Sequence, residues 1–129
     1  MDTIHLGAAP GTTWALSPLE AEDHLRARFP DLQAGQEHSP TTGKNYVSFY
    51  VELAGESRHG AYFERGHLVL DDGDADLWAD TAAWFLGLLP ADARAVAMVE
   101  SSPDSVRTIP PGADTAQVRE ILQSLLDVV

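Results

Sequence analysis

The spacing of apolar positions changes period several times along the chain, and each change marks an element. Ala21, Leu25 and Phe29 recur at helical spacing behind Ser17-Pro18-Leu19-Glu20. That tetrapeptide satisfies a capping box: the Ser17 hydroxyl is placed to bond the backbone N–H of Glu20, the Glu20 carboxylate reaches back, and Pro18 takes the first helical position. The helix should stop before Pro30, which disfavours helical geometry in the residue preceding it. Residues 31–44 show no periodicity and read as a loop. From Tyr46 the period becomes two, with Val47, Phe49, Val51 and Leu53 alternating with Tyr46, Ser48, Tyr50 and Glu52. Turns at residues 54–58 and 65–66 then lead to strands at His59–Glu64 and His67–Asp71, which makes a meander.

Matching apolar with apolar across that meander sets Phe49 opposite Phe63 and Val51 opposite Ala61, with Leu68 and Leu70 beside them on a core face. The same register gathers Tyr46, Tyr50, Tyr62 and Val69 on the other face, among Ser48, Glu52, Glu64 and His67. Three clustered tyrosines are the rigid, amphipathic contact area enriched at interfaces.

The stretch from Asp71 to Leu89 is the most informative. Asp71, Asp72, Asp74 and Asp76 run into an apolar segment holding two of the three tryptophans. On a helix from about Asp76 to Leu89, Trp78, Ala82, Phe85, Leu86 and Leu89 form one stripe, and Leu77, Trp84 and Leu88 a second. Together they cover roughly 200° of the circumference, about twice the stripe of an ordinary surface helix. Such a helix needs cover on more than one side, from its own fold or from another chain. Ala79, Ala83 and Gly87, spaced by four, leave room for another backbone or stand as small surface residues. After Pro90, the nearly continuous apolar run Ala95–Val99 reads as a strand covered on both faces. Val106–Ile109 is a candidate fifth strand after a turn at Ser101-Ser102-Pro103-Asp104. Asp114-Thr115-Ala116-Gln117 opens a last helix, with Val118, Ile121, Leu122, Leu125 and Val129 on one stripe. Residues 1–16, rich in Gly, Ala, Pro and Thr, read as an arm or at most a short edge strand, of order left open, ahead of a single domain over 17–129.

At 129 residues and 44% hydrophobic content the chain suits one core. Without cysteine, it has no disulfide scaffold, thiolate zinc site or cysteine nucleophile. No apolar run approaches the roughly 18 residues of a membrane span, and the start lacks the basic and apolar regions of a signal peptide, so a cytoplasmic protein is expected, with no membrane partner. Seven arginines against one lysine, with abundant alanine, suggest a bacterial genome of high GC content. A net charge of -12 repels phosphate backbones and argues against nucleic acid. It keeps the protein soluble, and it would also steer a basic protein partner.

Candidate chemistry is sparse. The aspartate cluster does not fit a calcium loop: taking Gly73 as position six puts Leu68 at position one and no acid at three. A strand-to-helix turn with an N-cap explains it better. His5, His24, His38, His59 and His67 include no pair at i, i+3 or i+4, so no metal and no cofactor are expected. No G-x-S-x-G or phosphate-cradling loop is present, and no serine stands beside an oriented base in sequence.

The order helix, three-strand meander, helix, two strands, helix over residues 17–129, in a small acidic cysteine-free chain, resembles the secretion-chaperone-like fold of class I type III secretion chaperones. That resemblance implies a homodimer built around the second helix and its neighbouring strand, with a partner segment wrapped on exposed apolar surface. Small bacterial immunity proteins are a second analogy. The expectation is therefore an α+β fold, with an antiparallel sheet of four to five strands and helices against it. Its expected function is non-catalytic binding of a protein partner, chaperone-like or immunity-like, with a homodimer as one candidate assembly. Trp78, Trp84, Phe85, Tyr46, Tyr50 and Tyr62 are the candidate interaction residues. The alternative is a small enzyme or ligand-binding domain with a pocket on the tyrosine face and Glu52, Glu64 or His67 as polar groups.

Overall fold

The computed structural model describes residues 2–127; Val129, expected on the stripe of the last helix, lies outside them. Among the described residues the elements run β1 (Ile4–Ala8), α1 (Pro18–Arg28), β2 (Gln33–His38), β3 (Asn45–Leu53), β4 (Glu56–Phe63), β5 (His67–Leu70), α2 (Ala75–Leu86), β6 (Ala95–Val99), β7 (Ser102–Ile109) and α3 (Thr115–Leu126). The fold is α+β. All strands join one antiparallel sheet in the order β2-β3-β4-β5-β1-β6-β7, seven rather than four to five.

Two strands depart from the sequence expectation. Residues 4–8, read as an arm or an edge strand, form the interior strand β1: Ile4 lies opposite Leu70 on one side and Val99 on the other, and Leu6 opposite Leu68 and Ala97. Both side chains are fully buried. β2 occupies a segment expected as loop, because Gln33-Ala34-Gly35-Gln36-Glu37-His38 carries no apolar alternation, and as an edge strand it is almost wholly exposed. Neighbouring α1 braces it: Gln36 Nε2 donates to the Pro18 carbonyl (3.1 Å) and to Glu22 Oε1 (2.9 Å).

The β3–β4 register also differs from the expected one, because the turn expected over residues 54–58 closes in two residues, Ala54-Gly55, and β4 begins at Glu56 rather than His59. Phe49 faces Gly60 and Val51 faces Arg58, a shift of three residues from Phe49–Phe63 and Val51–Ala61. An odd shift exchanges the faces of a strand, so Tyr62 turns inward and Phe63 outward. β6 alternates rather than running buried throughout: Ala95, Ala97 and Val99 are buried, while Val96 and Met98 are half-buried on the outer face. β7 begins at Ser102, inside the segment read as a turn, with a register break between Ala97 and Val99.

All three helices pack on one face of the sheet, giving a core of Ile4, Leu6, Phe49, Tyr62, Leu68 and Leu70 against Leu25, Trp78, Phe85 and Leu122. The helices start as their sequences dictate. Ser17 and Glu20 make the reciprocal capping box of α1, Asp74 accepts from the Leu77 N–H at α2, and Asp114 and Gln117 box the start of α3. α2 ends at Leu86, three residues before the expected end, with single turns through Leu88 and Leu89.

The excess apolar surface of α2 finds cover within the chain. Trp78, Ala79, Ala82 and Phe85 are buried. On another side Trp84 meets Phe29 edge-on (6.0 Å, 84°), with the Arg28 guanidinium 5.0 Å above the indole. On a third, α3 runs alongside, tied by the Arg119–Asp76 ion pair and a Thr115–Asp80 contact.

Candidate protein-binding face of the sheet

With the helices on one side, the opposite face of the sheet has no second layer over it among the described residues. The ladders place its side chains: Tyr46, Ser48, Tyr50 and Glu52 on β3, Ser57, His59, Ala61 and Phe63 on β4, His67 and Val69 on β5, His5 on β1, and Val96 and Met98 on β6. Such faces usually carry polar residues toward water. Here most are aromatic, imidazole or aliphatic.

A stacked row crosses four strands. Tyr46 lies on Phe63 (4.5 Å between ring centres), Phe63 on His67 (5.6 Å) and His67 on His5 (5.1 Å), with ring planes within 27° of parallel. The last step is diagonal, because the residue directly opposite His67 is Gly7 and leaves the space beside it open. His5 Nδ1 and His67 Nε2 stand 2.9 Å apart and share one proton as a hydrogen bond. Burial, reinforced by the neighbouring His5 and by Lys44, pushes His67 down to about 4.

A second row holds chemistry that the sequence spacing hid. Ser48 Oγ is 2.8 Å from His59 Nε2, His59 Nδ1 is 2.6 Å from Asp71 Oδ2, and Thr3 donates to Asp71 Oδ1 (3.1 Å). With Asp71 accepting from the Nδ1–H, Nε2 is left to accept the Ser48 hydroxyl proton, the order of contacts in a serine–histidine–aspartate triad. Tyr50 packs its ring on His59 (4.9 Å). The shifted register creates this row: His59 sits opposite Tyr50, one diagonal from Ser48. The missed signal was the glycine at 60, which accommodates Phe49 and thereby fixes the shift. Ser48 nevertheless lies within β3, which is paired with β2 on one side and β4 on the other. Its flanking N–H groups serve those ladders and leave no pair of donors for a tetrahedral oxyanion.

The six expected interaction residues separate. Trp78, Phe85 and Tyr62 are core side chains at 0 to 1% exposure. Tyr62, expected outside, stacks on Trp14 (6.3 Å) and donates to the Leu16 carbonyl (2.7 Å), and burial lifts its hydroxyl to about 12. Trp84 is half-covered by Arg28 and Phe29. Tyr46 and Tyr50 remain on the outer face, Tyr50 at 49% exposure.

The polar groups proposed for a pocket do not converge. Glu52 is exposed on the outer face. Glu64 turns toward Asn45, whose N–H it accepts (2.8 Å), and lines a cavity of about 490 Å³ beside Leu19, Gln36 and His38. A second cavity, about 320 Å³, opens between the end of α2 and residues 110–113, lined by Leu86, Leu89, Pro90, Ile109 and their small apolar neighbours. Tyr46, Tyr50 and His67 line neither. The aspartates of 71–76 are engaged in structure: Asp71 with His59 and Thr3, Asp74 as the α2 cap, Asp76 with Arg119. Among the described residues no three His, Asp or Glu side chains converge as metal ligands.

Neither a family model, nor a curated protein, nor a solved structure matches this chain.

Proposed function

We propose that this chain is a non-catalytic protein-binding domain, of the chaperone-like or immunity-like class, and that it binds through the outer face of its sheet. The observation that carries the reading is β6: Val96 and Met98 are apolar as in a strand covered on both sides, yet no second layer covers their face among the described residues. Tyr50 and Val106, at 49% and 51% exposure, extend the same face toward opposite edges of the sheet. A basic partner would instead be drawn to the helical side, where Glu20, Asp23, Asp80 and Glu120 are exposed. The test is a photo-crosslinking amino acid at position 50 or 106, with position 120 on α3 as control, in cells of the native host. Protein adducts from 50 and 106 but not 120 are expected; adducts from 120 alone overturn the choice of face.

A second reading, a small enzyme on the same face, rests on Ser48, His59 and Asp71. An activated Ser48 would be labelled by a fluorophosphonate, and Ser48→Ala would abolish the labelling. Absence of label on the native chain removes this reading.

A further inference from the structure

We infer that the occupant of the outer sheet face is a second copy of this chain, packed sheet against sheet; this rests on the binding-face reading above and names its partner. The argument is one of charge. The chain carries -12, yet the central strands of the outer face carry few acids, Glu52 and, held by His59 and Thr3, Asp71, with Glu37 on the β2 edge, while Glu20, Glu22, Asp23, Asp76, Asp80 and Glu120 lie on the helical layer behind. Two copies meeting through the helical surface would have to bury these carboxylates, of which Glu22, Asp76 and Asp80 pair with Arg26, Arg119 and Arg28 and the others are exposed to solvent, at the cost of desolvating charge. Meeting through the sheet leaves the helical acids in solvent at the two far ends of the pair. A basic partner finds few acids to pair with on this face, whereas its rings and aliphatic groups suit a two-fold, self-complementary contact.

The size agrees. Seven strands about 4.8 Å apart and roughly 20 Å long present a face of about 700 Å², near the ~800 Å² per partner of a standard interface. A face slightly smaller than that, whose half-buried imidazoles must be desolvated on association, predicts a dimer of micromolar rather than nanomolar strength. This assembly differs from one built on α2, whose Trp78 and Phe85 are already enclosed in the core.

The experiment is sedimentation of the intact chain from about 0.1 µM to about 1 mM, a range that spans such dissociation constants. The expected result is a concentration-dependent rise to twice the monomer mass. Tyr50→Glu should weaken it at least tenfold, and Trp84→Asp should leave it unchanged, with circular dichroism verifying that each variant is folded. Because the native chain has no cysteine, Val69→Cys near the middle of the face gives an independent readout. A short bismaleimide should join two copies through it, and Glu120→Cys should not be joined. A single monomer mass across the range, or a dimer lost in Trp84→Asp and kept in Tyr50→Glu, overturns the inference. If the chain is monomeric but position 50 captures a different protein in cells, the second copy is wrong and the binding face stands; if it captures nothing, both fall.

Discussion

Phe49 lays its ring over Gly60 on the neighbouring strand, so closely that a Cβ at position 60 would stand 2.4 Å from the Phe49 ring. The pair fixes the β3–β4 register, because the largest side chain of β3's inner row is matched with the one residue of β4 that has none. Everything outward follows from it, including the positions of Tyr46 on Phe63 and of His59 beside Ser48.

Gly60→Ala should therefore destabilise the fold by about 1–3 kcal/mol through overpacking, since Phe49 is 1% exposed and has nowhere to move. Urea denaturation measures it. In the Phe49→Leu background the same glycine substitution should cost less than it does alone, and an additive double-mutant cycle would show that the ring contact is not its cause.

Gly73 has the same relation to Trp78, with a Cβ there placed 2.2 Å from the indole nitrogen, which donates to the Asp71 carbonyl (3.2 Å). Gly73→Ala is expected to lower stability by about 1–3 kcal/mol and to red-shift the emission of the displaced tryptophan. Unchanged fluorescence with unchanged denaturation would refute the packing of α2 on the turn before it.

Tyr62→Phe tests the inward placement of that tyrosine. Loss of its hydrogen bond to the Leu16 carbonyl should cost about 1 kcal/mol, whereas a tyrosine on the outer face would lose nothing measurable on removal of its hydroxyl.

His67 supplies a pH signature. Its folded value of about 4 lies below the ordinary histidine value of 6.5, so between these values the unfolded chain binds more protons than the folded one. Its contribution to stability is full above about 6.5 and is progressively lost as the pH falls toward 4. Denaturation midpoints over that window should rise less steeply with pH in His67→Phe than in the native chain, and the His67 ring protons should titrate near 4 by NMR. A midpoint near 6.5 would show the ring to be solvated rather than packed between Phe63 and His5.

The sequence by itself determined what is local. Caps at Ser17 and Asp114, the stop after α1 and the alternation of β3 depend on neighbours within a few residues, and they stand where the local chemistry puts them. The turn expected over 54–58 is instead only the two residues Ala54-Gly55, and α2 is capped by Asp74, ahead of its expected start. The sequence also showed that α2 needed cover on several sides, though not that α1 and α3 would supply it. Only the tertiary structure decided the rest. β1 is a strand because Leu70 and Val99, far along the chain, flank Ile4, and five residues carry no sign of partners that distant. β2 is a strand without an apolar pattern because an edge strand open to solvent needs none. The candidate face depends on registers across β5, β4 and β3, and a register shifted by three residues, decided by one glycine and one phenylalanine, moves Tyr62 from the surface into the core.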